Sequence, residues 1–244
     1  MRRLFSSFIM CLGLCCAHTS VAFAAKDGSQ VTTSDPWQDA TGTNINRMPM
    51  TAHYLPFTSE NGALTQLSMD DAHRFKLNTQ TERRRSLNGV WKFKLVKNPG
   101  LALTDFFKSS YDVSGWQDIN VPGSWELQGF DAPIYTDVTY PFKANPPFAP
   151  QDYNPVGHYV HEFTVPQDWN GMDVIIDFEG VESAFYLWIN GKMVGYSEDS
   201  RLPAHFDITK YLKKGTNRLA VKVFRFSDGS YLDRKSTRLN SSHS

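Results

Sequence analysis

Cysteine is almost absent: the 244 residues hold only Cys11, Cys15 and Cys16, all near the start. No disulfide or thiolate metal site can form beyond them, so the stability of the remainder has to come from its core. Net charge is absent too, with 25 basic and 25 acidic side chains. No basic block points to nucleic acid, and no acidic tract to a solvating tail. Long apolar runs are confined to Leu4–Ala17, which is too short to span a bilayer. With Arg2 and Arg3 before it and Ala22-Phe23-Ala24 after it, that run reads as a secretory signal over residues 1–24. A mature start near Ala25, and a periplasmic or secreted protein, are the expectation. No Ser-His-Asp elbow, phosphate loop or Cys cluster is present.

Aromatic residues, by contrast, are plentiful: 17 Phe, 10 Tyr and 6 Trp. Such rings fill β-sandwich cores and also stack on sugars, and core packing accounts for most of them. Residues 25–83 read as an irregular N-terminal extension. Within it Asn44–Phe57 is Pro-interrupted but apolar enough to pack on something else. Helical periodicity is hardly visible beyond that segment. From Ser86 the chain consists of short strands separated by turn signals. Leu87–Val96 alternates Val90, Phe93 and Leu95 with lysines, and Asp173–Phe178 places Val174, Ile176 and Phe178 on one face. Ser183–Asn190 is apolar on both faces, as a covered central strand is. Asn190-Gly191 predicts a type I′ hairpin returning through Lys192–Tyr196. Phe206–Leu212 predicts a helical turn capped by Asp207, and Asn217–Phe226 a final strand. The fold class is all-β: a jelly-roll-like, galactose-binding-domain-like β-sandwich behind an irregular extension.

The runs LNGVWKFKLV, INVPGSWELQGFDAPIYTDVTYPF, NPPFAP, FEGVESAFYLWINGKMVGYSEDSRLPAHFDIT and FRFSDGSYLD closely resemble the N-terminal domain of glycoside hydrolase family 2 β-galactosidases. The resemblance covers about Trp37–Asp233 and places the sugar-binding sandwich at residues 84–233. It implies a large enzyme in which this domain packs on a (β/α)₈ barrel that supplies both catalytic Glu residues for retaining hydrolysis. Two positions here match family residues that reach substrate: Asn145 in AlaAsnProPro and Asp228 in PheSerAspGlySer. The family's Asp also helps hold a sodium ion, so Asp228 is the one expected metal ligand; magnesium is expected only in the barrel. No catalytic residue is expected here. The implied partners are a β-galactoside, the C-terminal domains of the same enzyme and, at full length, further copies of itself.

Residue chemistry agrees with these two roles. Asn145 precedes two prolines, which stiffen its backbone, and a carboxamide both donates to and accepts from a hydroxyl. Asp228 precedes Gly229, as in an ordinary turn, yet a carboxylate there can also bind hydroxyls or a hard cation. Other candidates read as structural. His158 and His161 fall on opposite faces of a strand, a poor arrangement for a shared metal. Glu179, Glu182, Glu198 and Asp199 flank hairpin ends, where solvated or Arg201-paired acids are ordinary. Trp116 and Trp125 could form a sugar platform, although Trp125 in ProGlySerTrpGlu reads rather as a lock for its loop.

Phe226 stands where the family usually has Trp. After Asp233 the family continues with an acidic, Trp-containing run toward the next strand, whereas here RKSTRLNSSHS follows. Residues 234–244 therefore read as a non-native tail resembling translated vector sequence, with the chain stopping short of its barrel. As written it is expected to be inactive. The alternative is a stand-alone carbohydrate-binding module with a genuine tail.

Overall fold

The computed structural model describes residues 35–52, 54–67, 81–134 and 140–231. The expected signal segment with its three cysteines, and the 234–244 tail, lie outside them. Among the described residues no helix is long and apolar enough to cross a membrane.

Nine strands form two sheets among the described residues: β1 (Asn44–Ile45), β2 (Gly89–Val96), β3 (Gln117–Val121), β4 (Val156–Thr164), β5 (Ile175–Phe178), β6 (Ala184–Ile189), β7 (Lys192–Glu198), β8 (Ala204–Asp207) and β9 (Thr216–Phe224). The larger sheet runs β1-β7-β6-β9-β4-β2-β3, and β5 pairs with β8 as a second, smaller layer. Every ladder among the described residues is antiparallel, as short turns between consecutive strands permit. The all-β sandwich is thus the observed architecture.

Every residue of β6 is buried, because β7 and β9 flank it and both faces are covered. The hairpin before β7 follows the Asn-Gly prediction: Asn190 and Gly191 have φ of 52° and 81°, the pair of positive angles a type I′ turn demands. Two cores lie on opposite faces of the large sheet. One joins Phe93, Leu187, Leu219, Val221 and Val223 to Ile176 and Phe206 of the small layer. The other packs Trp188, Ala220 and Phe224 under Phe106 and Phe107 and the N-terminal Trp37. Trp37 is fully buried and stacks on Phe224 with ring centroids 4.7 Å apart and planes 15° from parallel.

Several sequence expectations shift. In β2 the buried face is Trp91 and Phe93, while Val90 is exposed. Phe206 belongs to β8, and the helical turn shortens to Thr209–Tyr211, with Asp207 still accepting from the Thr209 N–H at 2.9 Å. β9 ends at Phe224, two residues early. An eight-residue helix, Glu60–Leu67, appears where no periodicity signalled one; its apolar content is too sparse to stand out. The extension is partly integral to the domain: β1 pairs with β7, the Asn46 carboxamide donates to Val194 O, and Met48 N–H donates to His205 O. Met50 and Tyr54, farther along, are exposed.

Candidate functional site

The site begins where β9 stops. Beyond Phe224 the chain loses strand partners, and a buried side chain takes their place. The Asn154 carboxamide accepts from the Phe226 N–H and donates to Phe226 O, both at 2.9 Å, imitating a ladder rung. The chain then turns sharply: Ser230 N–H donates to Ser227 O and Tyr231 N–H to Asp228 O. The Ser183 hydroxyl donates to the Ser227 hydroxyl at 2.7 Å, tying the corner to the start of β6.

Asp228 is buried in this corner, only 6% exposed. Its N–H donates to Trp37 O at 3.2 Å, and its Oδ1 accepts from the Gly229 N–H at 2.7 Å. Asn145 is exposed on the loop opposite. Its carbonyl accepts from Phe148 N–H, closing a turn around the cis Pro146–Pro147 bond, so the two prolines hold it in a tight turn.

Tyr231 brings the two predicted residues into one unit. Its hydroxyl accepts from the Asn145 N–H at 3.0 Å and donates to Phe148 O at 2.9 Å, while its own N–H binds the Asp228 carbonyl. Tyr140 and Phe142 pack on the Tyr231 ring, and Phe142 also meets Phe226 at 4.8 Å. Phe226 therefore keeps an aromatic wall beside the corner. Arg225 fastens the neighbouring loop through Asp131 at 2.5 Å and Glu126 at 3.3 Å.

Glu198 departs from expectation. Glu179 is solvated and paired with Arg84, and Glu182 and Asp199 are exposed, as hairpin ends suggest. Glu198 instead is 5% exposed, and its Oε2 lies against Gly229, the residue after Asp228. Tyr196 donates its hydroxyl to Glu198 Oε1. Burial above all, and then the neighbouring Asp228, raises the Glu198 carboxyl to about 9.

The remaining candidates fall out as structural. His158 is buried among Phe106 and Trp116, and His161 stacks on Trp91 across the sheet, so the two face opposite cores. Trp125 is buried against Phe93, locking its loop, and Trp116 packs on Phe106. Among the described residues no three His, Cys, Asp or Glu side chains converge as a metal site.

Tyr231 and Glu198 were missed by sequence reasoning. For Glu198 a signal existed: it lies two residues after the buried Tyr196, hence on the same strand face.

The chain is similar to several known proteins. Residues 84–241 match the family described as glycosyl hydrolases family 2, sugar binding domain. A β-galactosidase of Priestia megaterium is 46% identical over 198 residues, covering 75% of this chain and 19% of that protein. One from Pseudoalteromonas haloplanktis is 54% identical over 160 residues, covering 64% of this chain and 15% of that protein. The solved structure of a Bacteroides uniformis β-glucuronidase is similar at 25% identity and a TM-score of 0.44, over 58% of this chain and 14% of that one. The chain thus spans under a fifth of the length of these β-galactosidases. It belongs to glycosyl hydrolase family 2, of which it carries the sugar-binding domain.

Proposed function

We propose that this chain is the N-terminal part of a secreted, retaining β-galactosidase, and that Asn145 and Asp228 are its contributions to the substrate site. The observation carrying this reading is the Tyr231 bridge, which binds the Asn145 loop and the Asp228 corner into one rigid edge. A carboxamide and a carboxylate on such an edge suit adjacent sugar hydroxyls, because together they offer donor and acceptor atoms. The names of the relatives supply the galactoside. The two catalytic carboxylates come from the rest of the enzyme, and Asp228 shares a sodium ion with it.

The test is turnover of nitrophenyl β-galactoside. The 244-residue chain should show none, whereas the full-length protein should be active and should lose activity on Asp228→Asn or Asn145→Ala, each by tenfold or more. Turnover by the short chain, or full activity in both variants, would defeat the proposal. Galactose affinity in the short chain alone would favour a stand-alone binding module.

A further inference from the structure

We propose that Tyr231 is a positioning residue for Asn145: its hydroxyl fixes the turn that presents the Asn145 carboxamide to substrate. The inference rests on the reading that Asn145 touches the galactoside.

Three features of the fold carry it. First, one phenol oxygen completes the turn. Phe148 N–H donates to Asn145 O at 2.9 Å, which leaves the Asn145 N–H and the Phe148 carbonyl without a partner inside the turn. The Tyr231 hydroxyl takes both, accepting from the first at 3.0 Å and donating to the second at 2.9 Å. An amide can only donate, so the hydroxyl hydrogen has one place to go, and the arrangement is unique. Second, Tyr231 is itself immobilised. It is 8% exposed, its ring meets Tyr140 at 5.0 Å and Phe142 at 5.8 Å, and its N–H donates to Asp228 O at 3.1 Å. Third, the anchor stands on the sheet. Tyr231 follows the corner after β9, a strand paired on both sides by β4 and β6.

The loop has little else to hold it. Every residue from Lys143 to Phe148 is exposed, so packing does not fix this stretch. The next restraint comes at buried Ala149, whose carbonyl accepts from the Gln38 side chain at 3.2 Å. The Asn145 carboxamide itself has no hydrogen-bond partner among the described residues. Its donor and acceptor are both open to a sugar hydroxyl, and its place is set through the backbone alone. Rigid support of that backbone is what holds a binding group within the narrow range of angles that recognition requires.

Tyr231→Phe removes the hydroxyl and keeps the ring against Tyr140 and Phe142, so the variant retains its packing. The experiment is calorimetric titration of the full-length protein with isopropyl β-thiogalactoside, with thermal midpoints recorded for each variant. Wild type, Tyr231→Phe, Asn145→Ala and the double variant form a cycle. Tyr231→Phe should bind about fivefold more weakly than wild type, the ordinary net worth of a hydrogen bond. In the Asn145→Ala background the same change should cost less than twofold, because the group it positions is gone. Weak binding by Asn145→Ala together with wild-type binding by Tyr231→Phe overturns the positioning role alone. Wild-type binding by Asn145→Ala overturns the underlying reading of Asn145. An equal loss from Tyr231→Phe in both backgrounds also overturns the positioning role, because a hydroxyl that merely supports the fold weakens binding whether or not the carboxamide is present.

Discussion

Acid should weaken this domain through His158, and the size of the effect can be worked from its contacts. The imidazole is fully buried; Nε2 accepts the Leu103 N–H at 3.0 Å, and Nδ1 lies 3.2 Å from Lys94 O. Only a neutral ring with its hydrogen on Nδ1 satisfies both, since a charged ring donates from both nitrogens. Burial drives the pKa down to about 3; the Lys94 carbonyl opposes this, and the Lys222 and Lys94 charges reinforce it. In the unfolded chain the same group titrates near about 6.5. Between those values the unfolded state binds the extra proton. Stability is therefore complete above the unfolded value and is lost as pH falls toward the folded one. The slope approaches about 1.4 kcal/mol per pH unit below the unfolded value, so acidification from about pH 6.5 to 4.5 removes about 2.3 kcal/mol. Glu198 acts in the opposite sense: with its folded pKa raised to about 9, acidification favours its folded form. Glu198 is unchanged in a His158 variant and cancels in the comparison. Urea unfolding of wild type and His158→Gln at pH 7 and pH 4.5 is the assay. Glutamine can accept from Leu103 and cannot charge. Wild type should lose about 2.5 kcal/mol more than the variant over this interval, and equal losses would refute the argument.

Three further outcomes follow from packing. Trp37→Ala should cost about 3–5 kcal/mol in urea unfolding, since a fully buried indole stacked on Phe224 leaves a cavity that rigid β9 cannot fill. Gly157→Ala would bring a methyl within 2.6 Å of the Trp125 ring and 2.9 Å of Phe93. It should lower stability by about 1–3 kcal/mol, read in the same way. Lys222→Met should raise stability at pH 7 by about 1–3 kcal/mol. Burial lowers that ammonium to about 8, so desolvation outweighs its contacts with the faces of Tyr186, Trp188 and Phe224.

What could be read from the sequence was whatever one strand or one turn decides locally. Ser183–Asn190 shows its burial because apolar residues occupy both faces, and Asn190-Gly191 shows its turn because few pairs tolerate two positive φ angles. The phase of β2 was misread for a reason of the same kind. Val90 and Trp91 are both apolar, so the local pattern does not decide which of them points inward, and pairing with β3 and β4 does. Trp37 illustrates the other limit. Its partner Phe224 is 187 positions away, and no local pattern announces that a polar N-terminal stretch closes the far face of the sheet.

The candidate site divides along the same line. Asn145 and Asp228 were legible because each sits in a short run whose chemistry is visible in isolation. Their connection was not, because Tyr231 joins them through a hydroxyl and a backbone amide across 86 positions. Glu198 was obscured by a rule that holds for its neighbours: acids at hairpin ends are solvated, as Glu179 is. What exempts Glu198 is the packing around it. β1 runs along the outer edge of β7, Arg47 covers the strand end, and the corner after β9 folds over the carboxyl. Each of those elements comes from a different part of the chain, so the burial of this one carboxyl is a property of the assembled fold. Its chemistry follows from that burial, since an acid cut off from water must keep its proton or find a cation, and here the group beside it is another acid.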